Sequence, residues 1–168
     1  MNADLTYPPE SGAFDEVHFE RPSVWNSQIF SWVKFEDTQF QDWYGSFRGA
    51  PLGHLALSPQ TGLAIIPTED GTYLIDVSSR KLIRFYGVEY QIQSVILSPD
   101  GSTFVLSSYR ELYRMSDTFD LIKIITQSNM DLAKLLRVNG NGIEFEFEEI
   151  GDWIRKQGTI DTLTWTIK

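Results

Sequence analysis

The feature that most constrains the fold of this chain is a turn signal that recurs about every forty residues. SPQTG begins at Ser58, SPDG begins at Ser98 and NGNG begins at Asn139, which places the signals 40 and 41 residues apart. Proline fixes one backbone dihedral and glycine accepts a positive φ, so these sequences favour tight turns between strands. A period of this length is typical of repeat architectures made of small supersecondary units.

Short apolar stretches surround each turn signal, and they predict four strands in each repeat. The stretches are 54–57, 63–66, 72–77 and 81–86 in the first unit, 94–97, 103–106, 111–115 and 120–125 in the second, and 135–138, 143–147, 152–156 and 162–167 in the third. The prediction is a mostly-β fold of about three four-stranded antiparallel repeats. One short helix is predicted at 129–136, with Ser128 as its N-cap and Asp131 completing a capping box.

Several positions within the repeats carry a recognisable pattern. Ser98–Gly101 form a Ser-Pro-Asp-Gly turn between the first two strands of the second unit, Ser58–Pro59 repeat half of it, and Asp76 ends a third strand. In these positions the units resemble β-propeller blades of the tryptophan-aspartate type. Val88 and Ile75 stand where that family has its His and Trp. The resemblance implies a blade-like architecture and brings no catalytic residue with it.

The number of repeats bears on whether the chain closes a ring. Residues 43–49 read as the last strand of an earlier unit, so residues 43–168 supply about three and a half blades, whereas closed propellers have at least four. We therefore expect an incomplete propeller or an open curved stack of sheets, within one domain spanning 1–168. Open stacks leave strand edges to be covered. We expect the acidic, aromatic segment 1–42 to pack across the first sheet as this cover and to contribute about two strands; the alternative is a partly disordered arm.

Charge is distributed unevenly along the chain. The net charge is -9, of which -6 falls in residues 1–47 and -3 in residues 138–168. A single-sign field steers basic partners and repels nucleic acid, so no direct nucleic-acid partner is expected; the alternative is that the acidity serves solubility. There is no Cys, no basic and apolar leader, and no apolar run of about 18 residues. These observations predict a cytoplasmic protein without a membrane partner.

The residues needed for common catalytic or metal chemistry are scarce. The only histidines are His18 and His54, and the sequence has no HExxH, no cysteine pair, no GxxxxGK[ST] and no GxGxxG. A zinc site, a phosphate-binding loop and a Ser-His-acid triad are therefore not expected. We predict no metal, no cofactor and no enzymatic activity.

An alternating segment near the C-terminus is the first candidate binding site. In residues 143–149, Ile143, Phe145 and Phe147 fall on one face of a strand, and the other face carries Glu144, Glu146 and Glu148. We call these three glutamates the acidic ladder. Their mutual repulsion predicts compensation by a cationic partner or by Lys and Arg on a neighbouring strand. The alternative is an edge strand that its charges protect from self-pairing.

The second candidate binding site lies in the N-terminal segment, where acids and aromatics are interleaved. The acidic members are Asp15, Glu16, Glu20, Glu36, Asp37 and Asp42. The aromatic members are Phe14, Phe19, Trp25, Phe30, Trp32, Phe35, Phe40, Trp43 and Tyr44. Large aromatic side chains that become buried on binding can form an interaction hot spot when the charges around them select the partner. Trp43 is the predicted anchor of this site. The alternative is that these aromatics form the core.

Together these features predict a non-catalytic protein-binding module. The segments WVKFED at 32–37 and GSFRGAPLG at 45–53, ahead of the repeats, resemble small acidic immunity proteins of bacterial polymorphic toxin systems. This resemblance implies a cognate toxin with a basic surface, inhibited by occlusion of its active site, and it transfers no functional residue. The alternative is a propeller-like ligand-binding or scaffold protein that homo-oligomerises, with a homodimer as the simplest form.

Overall fold

The computed structural model describes residues 1–10, 12–20, 27–124 and 129–168. These residues form sixteen β-strands and one 3-10 turn, Val88–Tyr90, and contain no α-helix. The strands form four four-stranded sheets. The predicted mostly-β fold is confirmed. The chain divides into two compact units, residues 1–90 and 91–168, each with two sheets and its own buried apolar cluster.

The first sheet lies at the start of the first unit. Its strands are β1 (Asn2–Thr6), β2 (Asp15–Phe19), β3 (Phe30–Glu36) and β4 (Asp42–Arg48). Their order is β1-β3-β4-β2, and β2 runs parallel to β4 while the other pairs are antiparallel. Residues 1–42 thus supply three of its four strands. On β3 the buried residues Ser31, Val33 and Phe35 alternate with half-buried ones, so this sheet has a core face and an outer face.

The second sheet of this unit is an antiparallel meander. It consists of β5 (Ala56–Leu57), β6 (Leu63–Thr68), β7 (Gly71–Asp76) and β8 (Lys81–Tyr86). Side chains of both sheets form one apolar cluster, in which Phe47 meets Tyr73 edge to face at 5.3 Å. Gly71 has a φ of +141°, and a Cβ there would strike the ring of Phe85. Only glycine therefore fits the start of β7.

The second unit contains two further antiparallel meanders. The third sheet consists of β9 (Ser94–Leu97), β10 (Phe104–Ser107), β11 (Leu112–Met115) and β12 (Leu121–Ile124). The fourth consists of β13 (Met130–Asn139), β14 (Gly142–Glu149), β15 (Arg155–Asp161) and β16 (Thr166–Ile167). Each predicted repeat is therefore a four-stranded antiparallel sheet. In the third repeat, the predicted bounds 152–156 and 162–167 are wrong, because β15 begins only at Arg155 and β16 covers only Thr166–Ile167. Their arrangement as propeller blades stays a prediction.

The predicted helix at 129–136 is wrong, because this segment belongs to strand β13. Two register shifts against β14, between Asp131 and Lys134 and between Leu135 and Arg137, interrupt the alternation of side chains. The buried residues Met130 and Ala133 are consequently three positions apart, a step that also occurs on a helical face, while Ala133 and Leu135 keep the spacing of two that a strand shows. Ser128, the predicted N-cap, lies outside the described residues, and the carboxylate of Asp131 instead accepts the amide of Leu132 at 2.9 Å.

One hairpin turn recurs in all four sheets with a bulky residue in the left-handed region. These residues, with φ between 56° and 64°, are Phe40, Arg80, Phe119 and Trp165. In three of the turns an aspartate near the start accepts a backbone amide: Asp37 from Gln39 at 2.7 Å, Asp76 from Ser79 at 2.8 Å and Asp161 from Leu163 at 3.0 Å. Such turns let an aspartate side chain bond the backbone two or three residues on. Each sheet thus contains a hairpin turn with a bulky residue in the left-handed region, and in three of the four turns an aspartate side chain also accepts a backbone amide.

Candidate functional site

The acidic ladder lies on β14 and has the predicted alternation. Ile143, Phe145 and Phe147 are buried, and the three glutamates are partly exposed on the opposite face. However, β14 is an inner strand between β13 and β15. The interpretation of the ladder as a protected edge strand is therefore wrong.

Cations on both neighbouring strands compensate the acidic ladder. Arg137 of β13 donates to Glu144 at 2.7 Å, and Arg155 of β15 lies 3.6 Å from Glu148 and 4.0 Å from Glu146. Hydrogen bonds from Arg137 and Asn139 lower the pKa of Glu144 below its ordinary value. With Asp131 and Lys134 of β13 and Asp161 of β15 in register, and Lys168 paired with Asp161, this face carries five carboxylates and four cations. The sheet thus neutralises most of the ladder's charge from within.

The outer face of the first sheet gathers most of the acidic residues predicted in the N-terminal segment. Strand register places Glu16 beside Tyr44, Lys34 beside Tyr44, and Glu36 beside Asp42. We call this surface the acidic–aromatic face; its members are Asp4, Phe14, Glu16, His18, Glu20, Phe30, Trp32, Lys34, Glu36, Asp42, Tyr44, Ser46 and Arg48. It carries five carboxylates and two cations, so it is more negative than the face of the acidic ladder.

Ion pairs on the acidic–aromatic face satisfy only some of its carboxylates. Asp42 accepts from Lys34 at 2.6 Å, which raises the pKa of that lysine, and Glu20 pairs with Arg48 at 3.1 Å. Among the described residues, no lysine or arginine forms an ion pair with Asp4, Glu16 or Glu36. These three carboxylates leave a negative surface available to a cationic partner.

Aromatic side chains are paired across this same face. His18 meets Trp32 edge to face at 5.9 Å, and Phe14 lies 4.9 Å from Tyr44. Phe14 is 44% exposed and the His18 side chain 58% exposed. Exposed aromatic area beside carboxylates that pair with no lysine or arginine in the described part of the chain is the composition expected of a protein-binding hot spot.

Three of the predicted partner-binding residues lie elsewhere. Trp43 is fully buried in the core and stacks on Phe35 at 4.4 Å, so its assignment as a surface contact is wrong. Side chains alternate between the two faces of a strand, so those next to Trp43 point away from the core. The sequence alone does not reveal which of the two alternating sets of side chains faces the core. Asp15 shares the side of Trp43 and pairs with Arg80 at 2.9 Å, while Asp37 holds the β3–β4 turn. Trp25 lies outside the described residues.

Asp4 and His18 are among the titratable members of the face that sequence reasoning omits. Asp4 pairs in register with Lys34 because β1 adds to the edge of β3. His18 reaches the face because β2 joins the sheet in parallel beside β4, a pairing that a hairpin-based reading does not predict. The strand alternation of residues 15–19 is the sequence signal that places Glu16 and His18 together.

A histidine–serine contact on this face resembles part of a hydrolase triad but lacks its accessibility. The Nδ1 atom of His18 lies 2.6 Å from the Ser46 hydroxyl, and its Nε2 atom lies 4.0 Å from Glu16. Ser46 has no exposed surface, so a substrate carbonyl cannot reach its hydroxyl in this conformation. The geometry assigns this contact to the positioning of the His18 ring.

Two other surface features lie in the second unit. A shallow open cleft of about 220 Å³ is lined by Phe145, Phe147, Lys156 and Lys168, among others, and both lysines already pair with carboxylates. Residues 152–156, predicted as a weak strand, contribute only their last two residues to β15, and Trp153 is 62% exposed in the preceding turn.

Within the described ranges, no group of three or more His, Asp or Glu side chains is arranged to hold a metal ion. In the same part of the chain, no helix is long and apolar enough to cross a membrane.

Comparison with known proteins shows similarity of fold. No protein-family model matches the chain, and no curated protein matches it. The chain is similar to Kuenenia stuttgartiensis hydrazine synthase with a TM-score of 0.59 and 13% identity, over 89% of this chain and 51% of that one. It is also similar to the extracellular domain of BT4673 from B. thetaiotaomicron, with a TM-score of 0.52 and 19% identity, over 68% of this chain and 16% of that one. It thus spans about half of the first protein and a smaller part of the second, and at these identities the likeness concerns the fold alone.

Proposed function

We propose that this chain is a non-catalytic protein-binding module whose acidic–aromatic face docks a basic protein partner. The observation that supports this most is the composition of one sheet face, which carries five carboxylates, only two cations and exposed aromatic rings. Such a surface accelerates encounter with a cationic partner, and aromatic contacts then slow its dissociation.

Within this class, our specific proposal is a cytoplasmic immunity protein that binds a cognate bacterial toxin and occludes its active site. Toxins that cleave or modify nucleic acids need a basic cleft to hold phosphates, and a negative protein surface can occupy such a cleft. The proposal rests on this charge complementarity and on the resemblance described above.

The test compares two triple variants that each remove three carboxylates. Asp4→Asn, Glu16→Gln and Glu36→Gln neutralise the acidic–aromatic face, and Glu144→Gln, Glu146→Gln and Glu148→Gln neutralise the ladder. The partner is the protein encoded by the neighbouring gene, expressed to a level that arrests growth. We expect the first variant to lose growth rescue and to lower the association rate about tenfold at low salt, because steering depends on local charge. The ladder variant should bind with the association rate of the unmodified chain.

Other outcomes would reassign the surface or the function. Loss of binding in the ladder variant alone would place the interface on β14. Failure of the unmodified chain to relieve growth arrest or to bind its neighbour's product would contradict the immunity proposal. A dimer that persists at high salt in sedimentation velocity would instead support the homo-oligomeric scaffold.

A further inference from the structure

The acidic–aromatic face already contains one complete arginine site, which the protein fills with its own side chain. The Arg48 guanidinium lies over the ring of Phe30, 4.6 Å from its centroid, and pairs with Glu20 at 3.1 Å. It also donates to the Ser27 carbonyl at 2.5 Å. This surface therefore holds a planar cation between an aromatic ring beneath it and a carboxylate beside it.

A second set of the same groups lies on the same face, and no lysine or arginine within the described ranges forms an ion pair with it. Glu16 on β2 is flanked at alternate positions by Phe14 and His18, which contact Tyr44 and Trp32 respectively. The Glu16 side chain is 25% exposed, and the His18 Nε2 atom lies 4.0 Å from its carboxylate. Partial burial strengthens the attraction of this carboxylate for an incoming cation.

The flanking aromatic rings favour the guanidinium of arginine over the ammonium of lysine. A guanidinium is planar and weakly hydrated, so it can stack on a ring while donating two parallel hydrogen bonds to a carboxylate. An ammonium is compact and strongly hydrated, and it gains less from a ring. Arg48, which lies over Phe30 and pairs with Glu20, is one example of a planar cation held in this way on the same sheet face.

We infer that Glu16 and its flanking aromatic pairs bind an arginine side chain of the partner in preference to a lysine. This inference rests on the proposed function, since it takes the acidic–aromatic face to be the docking surface. It adds the partner chemistry: a basic surface that presents arginine, with its guanidinium stacked on a ring and bonded to Glu16.

The experiment uses the full chain and two peptides of equal charge, acetylated hexa-arginine amide and hexa-lysine amide. Binding is measured by calorimetry at several salt concentrations. We expect hexa-arginine to bind about fivefold more tightly than hexa-lysine, with the preference persisting as salt rises, because stacking is screened less than bare charge attraction. Glu16→Gln and Trp32→Ala should each remove the preference. Glu146→Gln on the ladder is the matched control and should keep it.

The outcomes separate this inference from the proposed function. If both peptides bind equally and Glu16→Gln weakens the binding of both, the arginine preference is overturned. The proposal of a basic partner would still stand. Absence of binding by either peptide at low salt would overturn both. An arginine preference unaffected by Glu16→Gln and Trp32→Ala would place it elsewhere and also overturn the inference. Trp32→Phe retains a ring and should retain the preference, which controls for local unfolding.

Discussion

Two tryptophans on adjacent strands provide a direct test of which face of the first sheet is core and which is surface. Trp43 on β4 is fully buried and stacks on Phe35 at 4.4 Å, with rings inclined by 19°. Trp32 on β3 is half-buried and points to the acidic–aromatic face, where it meets His18. Replacing each with alanine removes the same side chain from opposite sides of one sheet.

The expected magnitudes differ between the two tryptophans. Trp43→Ala leaves a cavity among Phe35, Phe19 and Phe47, and truncating a buried large aromatic costs about 3–5 kcal/mol. Trp32→Ala loses the burial of a half-buried ring and its contact with His18, which contributes about 0.5–1.5 kcal/mol beyond the buried area, so its total cost should stay below that of Trp43→Ala. Trp43→Phe should cost far less than Trp43→Ala, because it fills most of the space and removes a buried indole N–H that has no acceptor among the described residues.

Urea denaturation followed by far-ultraviolet circular dichroism measures these differences in the free energy of unfolding. A loss of less than about 1 kcal/mol in Trp43→Ala would contradict its assignment to the core. A loss in Trp32→Ala as large as that in Trp43→Ala would contradict the assignment of Trp32 to a surface. Partner binding supplies the complementary result, since Trp32→Ala should weaken it while the protein remains folded.

Three further predictions concern pH and backbone strain. Hydrogen bonds from Arg137 lower the pKa of Glu144 below 4.5, so the stability contributed by this residue is present above that pH and lost as the pH falls; Glu144→Gln should flatten the acid side of the melting-temperature profile. Burial raises the pKa of Tyr73 from 10.0 to about 12, so stability is lost as the pH rises through this range, and Tyr73→Phe should unfold at a higher pH in circular dichroism. Phe40 is 82% exposed at a φ of 59°, and Phe40→Gly should raise the free energy of unfolding in urea by up to about 1 kcal/mol, because relief of strain exceeds the entropic cost of glycine. A free energy of unfolding lower than that of the unmodified chain would show that the Phe40 ring makes stabilising contacts.

The sequence alone determined most strands of the repeats and their turns. Apolar stretches near Ser58 and Ser98, and the alternation in 143–147, correspond to strands of antiparallel meanders. These signals are local: glycine and proline set turn dihedrals, and a period of two sets the faces of a strand. The prediction at 129–136 failed because bulges in β13 depend on its pairing with β14, which lies further along the chain.

Only the tertiary structure decided which acidic and aromatic residues share a surface. Trp43 and Tyr44 are adjacent in sequence, yet one enters the core and the other lies beside Glu16, because β4 has a core face and an outer face. The parallel pairing of β2 brought His18 to that outer face, and β13 and β15 supplied the cations that compensate the acidic ladder. Charge at a site is the sum over neighbouring strands, and strand order is a long-range property that local sequence patterns do not contain.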